Sequence, residues 1–164
     1  MSARCYPTYS DRNAYGVLEA GTFQPSCKAI RGETVMTETL KGACLCGRVE
    51  YEVQDPESLG YCHCTRCQRW TGSSLAGVVV AKENFRIAEG ENLVKRYESE
   101  FAPRNFCSDC GSSLYDDLGE KYFVAAGLMR ELTLTPSFHL QVAYKADWHE
   151  IGGDAPQFAE NPPA

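Results

Sequence analysis

Gly42-Ala43-Cys44-Leu45-Cys46-Gly47-Arg48-Val49-Glu50-Tyr51-Glu52-Val53 is the stretch whose reading decides the fold. Its first half is a turn that carries two thiols. Its second half is a strand, because Val49, Tyr51 and Val53 alternate with Arg48, Glu50 and Glu52, the period of a half-buried β-strand. A second thiol turn, Cys107-Ser108-Asp109-Cys110-Gly111, stands far along the chain. Two cysteines on a tight turn can both place sulfur about 2.3 Å from one zinc ion. The glycine after each pair can take a positive φ that a side chain resists, which frees backbone N–H groups to point at thiolates. Two such turns make one tetrahedral four-cysteine site from Cys44, Cys46, Cys107 and Cys110, tying the start of a sheet to its middle. A redox Cys-x-x-Cys pair or unliganded buried cysteines are the alternatives, but paired clusters are a stronger metal signal than a single pair.

Between these turns lies Cys62-His63-Cys64-Thr65-Arg66-Cys67. Seven of the nine cysteines thus fall into three clusters, and an odd number cannot be consumed by pairwise disulfides. Two zinc ions can use them all, one enclosed by four thiolates and one held by three with a fourth position open, as in catalytic zinc sites. In an extended segment Cys62 and Cys64 share a face and His63 takes the other. His63 is therefore read as a core or supporting histidine rather than a ligand, and Cys67 returns after a short turn to complete a three-thiolate cup. The competing reading closes this second site with His139, His149 or an acid, which makes it structural too. Three thiolates on Zn²⁺ leave one net negative charge, so activation of water for hydrolysis is disfavoured. A soft sulfur centre suits a thiol as fourth ligand, and a bound thiol becomes a held nucleophile.

Working outward, short apolar runs recur at Ala76 to Ala81, Phe85 to Ala88, Leu93 to Tyr97, Tyr122 to Ala126 and Phe138 to Tyr144, separated by turn residues such as Glu89-Gly90-Glu91-Asn92. Many short strands at close spacing predict a mainly β fold. The expectation is a small antiparallel β-sheet fold stapled by zinc, with little helix beyond a turn or two at Thr65 to Trp70. Residues 1–35 show no useful periodicity and are expected to form a loosely ordered N-terminal extension. Residues 36–158 are expected to be the zinc-binding domain, and 159–164 a frayed tail in a Pro-rich segment that begins at Pro156. Cys5 and Cys27, in the arm, have no partner at ligand spacing and are read as bystanders.

The 164-residue chain is acidic, with a formal charge of -6, and lacks the basic footprint of a general nucleic-acid binder. No apolar run approaches the ~20 residues of a membrane helix, and no apolar segment follows Arg4 to make a secretory signal. A reducing cytoplasmic setting is expected, where close-spaced cysteines bind metal more often than they form bridges. The sequence carries no signal of oligomeric state.

Three segments together resemble the glutathione-dependent formaldehyde-activating enzyme family, which includes centromere protein V-like proteins. They are Gly42 to Tyr51, then Cys62 to Cys67 with Thr71-Gly72-Ser73, then Arg104-Asn105-Phe106-Cys107-Ser108-Asp109-Cys110-Gly111-Ser112. The resemblance spans about 38 to 158, including Ala146-Asp147-Trp148, and leaves out the arm before Met36. It implies a mainly β zinc fold, a structural zinc on Cys44, Cys46, Cys107 and Cys110, and a second, catalytic zinc on Cys62, Cys64 and Cys67. It also implies a carbon–sulfur lyase activity, the joining of glutathione and formaldehyde to S-hydroxymethylglutathione. The expected substrates are a glutathione-like thiol and a small aldehyde, with zinc, two per chain, as the cofactor. Arg66, Arg69 and Arg104 are candidate anchors for a carboxylate-bearing thiol, and Trp70 is a candidate pocket wall or core residue. No side chain stands out as general acid or base. The rival functions are a non-enzymatic zinc-binding interaction module, and a redox-responsive protein whose Cys62, Cys64 and Cys67 oxidise and release metal.

Overall fold

The computed structural model describes residues 39–161. The arm 1–35, with Cys5 and Cys27, lies outside the described residues, as do 162–164 of the tail. Alternation after the first thiol turn is realised as a strand pair, β1 (Leu40–Ala43) and β2 (Glu50–Val53), joined antiparallel with Gly42 opposite Tyr51. The strand β5 (Phe85–Glu89) adds to β2 to complete a three-stranded sheet. The other strands are β3 (Ser58–Cys62), β4 (Leu75–Ala81), β6 (Val94–Tyr97), β7 (Arg104–Cys107), β8 (Ser113–Asp117), β9 (Lys121–Ala125) and β10 (Pro136–Leu140). They form a seven-stranded sheet in the order β10-β3-β4-β9-β8-β7-β6. Among the described residues the single α-helix is α1 (Thr65–Thr71), where a short helix is predicted.

The mainly β expectation holds, with one departure from antiparallel pairing: β10 runs parallel to β3. Parallel neighbours need a long crossover, and residues 63–135 intervene between these two. The predicted strand from Phe138 to Tyr144 ends at Leu140, because Gln141 takes a φ of 60° and Val142–Tyr144 form a 3₁₀ turn. The tail also differs from expectation. Its backbone bonds the outer side of β10 and the turn beyond, with His139 N to Pro156 O at 2.7 Å, Phe158 N to His139 O at 2.8 Å and Gln141 N to Glu160 O at 2.8 Å. An open strand edge presents unpaired N–H and C=O groups, and residues 156–160 satisfy them here, Pro156 through its carbonyl.

The seven-stranded sheet buries two different faces. On one face Val78 and Val80 of β4 and Val124 of β9 pack with Val49, Tyr51 and Val53 beside and within β2, all fully buried. On the other face Leu75 of β4 and Phe123 and Ala125 of β9 form a smaller cluster with Cys62 and Cys67. Both faces of β4 are covered, which is why its sequence reads as a continuous apolar run rather than an alternation.

Two glycines shape the second face. Gly60 of β3 sits directly opposite Gly77 of β4. The Phe138 ring occupies the place of a side chain at Gly60, 2.1 Å from where a Cβ would stand, and the Phe123 ring does the same at Gly77, at 2.5 Å. Glycine weakens a strand interior unless something packs on it, and these rings supply that packing. Gly60→Ala should therefore displace Phe138 and lower the unfolding free energy by about 1–3 kcal/mol. Gly127→Ala, where an added Cβ meets nothing within 4 Å, should stay within about 0.5 kcal/mol of the parent. Urea unfolding of the three proteins checks the contrast.

Candidate metal centres

The first centre is made by the turn after β1 and the turn after β7. The sulfurs of Cys44, Cys46, Cys107 and Cys110 all lie within 4.8 Å of one another, with Cys44 and Cys46 Sγ 3.4 Å apart and Cys46 and Cys107 Sγ 3.9 Å apart. Each turn closes the same way: Gly47 N bonds Cys44 O at 3.0 Å and Gly111 N bonds Cys107 O at 2.8 Å. Both glycines sit at a φ of 74°, as the spacing predicts. Val49 N donates to Cys44 Sγ at 3.3 Å, and the Arg48 backbone holds the Cys46 thiol below the usual thiol range. Ser112 Oγ accepts from Leu45 N at 2.9 Å and lies 3.3 Å from Cys110 Sγ. An Arg48–Asp109 ion pair joins the two turns on the outside. Four convergent soft donors with amides aimed at them fit a zinc ion.

The second centre gathers Cys62 from the end of β3, Cys64 from the N-cap of α1 and Cys67 from its first turn. Their sulfurs are also within 4.8 Å of one another, and among the described residues no histidine or acid joins the group. Cys67 N donates to Cys64 Sγ at 3.4 Å. The neighbouring Cys62 and Cys67 thiols, with the Cys67 and Arg66 amides, hold the Cys64 thiol well below its ordinary range. Cys62 is pushed the other way, up to about 11, by its hydrogen bond with Cys64. The three sulfurs fit zinc as an incomplete ligand set, and all seven cysteines of the two centres are free thiols.

Arg104 is placed differently from the substrate anchor that the sequence suggests. It is 5% exposed, with both Nη atoms 3.7 Å from Cys67 Sγ. Its guanidinium forms an ion pair with Asp116 and lies 4.9 Å from the Trp70 ring centre. A buried cation thus stands beside the three sulfurs and offsets their negative charge, a factor that the charge count from sequence omits. Asp116 was missed altogether, since a lone acid in a strand carries no motif. Burial raises its carboxyl to about 6 against the pull of Arg104, and among the described residues its Oδ1 has no hydrogen-bond partner.

All three histidines collect away from the sulfurs. His63 is buried and its Nε2 lies 3.0 Å from His139 Nδ1. Tyr61 stacks on His139 at 5.0 Å, and His149 meets the edge of His63 at 5.2 Å. Burial lowers His63 to about 4, so it sits as a neutral ring. Neither His139 nor His149 closes the second centre.

A cavity of about 810 Å³ opens beside this centre, lined by Cys62, Cys64, Cys67 and Arg104 together with apolar residues that include Phe123 and Phe138. None of the four cysteines of the first centre lines it. Arg66 lines the cavity, whereas Arg69 and Trp70 do not.

Residues 39–144 match the model of a family described as glutathione-dependent formaldehyde-activating enzyme. An uncharacterized lyase of Schizosaccharomyces pombe is 27% identical over 124 residues, covering 72% of this chain and 89% of its own. A crystal structure of a Rhodobacter sphaeroides protein superposes with a TM-score of 0.50 at 22% identity, covering 72% of this chain and 99% of that one, and supports the fold.

Removing one partner of a buried ion pair leaves the other uncompensated. Arg104→Met should cost about 3–5 kcal/mol of stability on that account, and Arg104→Met with Asp116→Leu should recover most of the loss. Urea titration of the single and double variants reads the difference.

Proposed function

The chain belongs to the glutathione-dependent formaldehyde-activating enzyme family, and from that premise we propose that it is a zinc-dependent carbon–sulfur lyase-type enzyme acting at the Cys62–Cys64–Cys67 centre. The observation that carries this reading is the asymmetry of the two sulfur groups. Four donors complete a turn-to-turn staple, of which Cys44 alone borders a separate cavity of about 510 Å³, while all three of the others face the 810 Å³ cavity and leave the fourth position of a tetrahedral set for a guest. Zinc held by Cys62, Cys64 and Cys67 would supply the positive charge that favours the thiolate form of an added thiol.

The reaction joins a glutathione-like thiol to an aldehyde such as formaldehyde. The S–H bond breaks, a C–S bond forms at the carbonyl carbon, and the proton ends on the former carbonyl oxygen; no electrons are transferred to an outside partner. The reverse direction is the lyase reaction. Arg104, set against Cys67 by Asp116 and Trp70, lowers the electrostatic cost of crowding sulfur anions together. The apolar walls exclude water and hold the two reactants together, and most of the acceleration comes from that positioning. Arg66, at the cavity, offers a cation to a carboxylate of the thiol. Among the described residues no helix is long and apolar enough to cross a membrane, and free thiols at both centres suit a reducing compartment such as the cytoplasm.

Metal analysis paired with a thiol-dependent aldehyde-consumption assay tests the division of labour. The wild type should bind two zinc ions per chain. Cys64→Ser should bind one, keep its circular dichroism spectrum and lose activity. Cys107→Ser should unfold, since the energy of closing a structural site is folding energy. Loss of fold in Cys64→Ser, or full activity with one zinc, rejects the proposal.

A further inference from the structure

Resting on that reading of the site, we infer that the cavity selects an aldehyde with an extended apolar body, aliphatic or aryl, over formaldehyde. The first ground is size. A cavity of about 810 Å³ falls in the range that encloses a drug-sized ligand; the thiol takes part of it, and formaldehyde has no body to fill the remainder.

The second ground is the state of the charged groups that line it. Arg104 is engaged by Asp116 and Cys67. Lys82 and Arg96 are both paired to Asp117, at 2.7 and 3.0 Å. Among the described residues that line the cavity, Arg66 is the cation without an acidic partner, and its guanidinium rests 5.1 Å from the Phe101 ring centre. Three of the four cations that line the cavity are therefore engaged, which leaves Arg66 for the carboxylate of the thiol. Once the thiol has taken Arg66, an aldehyde with its own negative charge meets no unpartnered cation in the lining, whereas an uncharged chain or ring meets the apolar walls.

The third ground is how the apolar surface is made. Phe123 and Phe138 cover the Gly77–Gly60 pair, where side chains would otherwise fill the space. Val79, opposite Ser58, extends this surface away from the cysteines, and Leu140, opposite Cys62, joins it to them. At the opening, Phe101 and Leu118 are 65% and 47% exposed. Large apolar groups left open around a cavity point to an apolar guest. The carbonyl carbon would lie toward Cys62, Cys64 and Cys67, with the body along Phe123, Phe138 and Val79.

Two measurements on the zinc-loaded, full-length protein test this. The first titrates unreactive primary alcohols from ethanol to octanol while following the phenylalanine ring resonances by NMR. Affinity should tighten about fourfold per methylene over the first several members, as burial of each methylene requires. Val79→Phe, which fills part of the apolar end, should weaken hexanol binding at least tenfold. The second compares kcat/KM for formaldehyde, butanal, hexanal and benzaldehyde with glutathione in excess, and hexanal should exceed formaldehyde by at least tenfold. Equal affinity across the alcohols overturns the inference. So does faster turnover of formaldehyde than of hexanal, an outcome that leaves the proposed thiol–aldehyde activity standing. If no aldehyde is turned over, the proposed activity falls, and the alcohol series alone decides what the cavity accepts.

Discussion

Sulfur drawn together from turns far apart in the chain is the constraint on which the rest of this structure depends. The turn after β1 and the turn after β7 meet through Cys44, Cys46, Cys107 and Cys110. One belongs to the three-stranded sheet and the other lies near the edge of the seven-stranded sheet. Joining them fixes the small sheet over the face that carries Val78, Val80 and Val124. Short strands bury little each, so a cross-link between sheets limits the freedom that a modest apolar core would otherwise have to overcome.

With one face of the large sheet covered in this way, the other is left for chemistry. The period-two geometry of strands divides the labour residue by residue. Val78 and Val80 pack inward under the small sheet, while Leu75, Gly77 and Val79 turn to the cavity side with Cys62 and Phe123. The same alternation separates His63 from its neighbours Cys62 and Cys64. It sends the histidine into a dry stack with Tyr61 and His139 and leaves the thiols together. A histidine between two cysteines is thus kept out of the sulfur group by backbone geometry alone.

The electrostatics of the second centre rests on a residue from the opposite end of the sheet. Three thiolates crowded at a helix start would repel one another, and Arg104 on β7 reaches Cys67 across the sheet to oppose that. Asp116 on the neighbouring β8 and the Trp70 ring hold the guanidinium in place. The arginine that eases the sulfur charge is then unavailable as a carboxylate anchor.

What the sequence determined by itself is whatever depends on near neighbours. The glycine turns after Cys46 and Cys110, the alternation of Val49, Tyr51 and Val53, the opposition of His63 to Cys62 and Cys64, and the short helix at Thr65 all follow from local backbone geometry. Their placement in the structure agrees with those rules. The strands β3, β7 and β8 were hidden because Gly60, Arg104 and Asp116 look wrong for strands until their partners are known, namely Phe138 over the glycine and the arginine and acid for each other. The parallel return of β10 and the capture of the Pro-rich tail by its edge were equally hidden. Tertiary structure alone decided these features, because each is stabilised by a contact between residues a dozen or more positions apart, and no local preference encodes which distant group will be there.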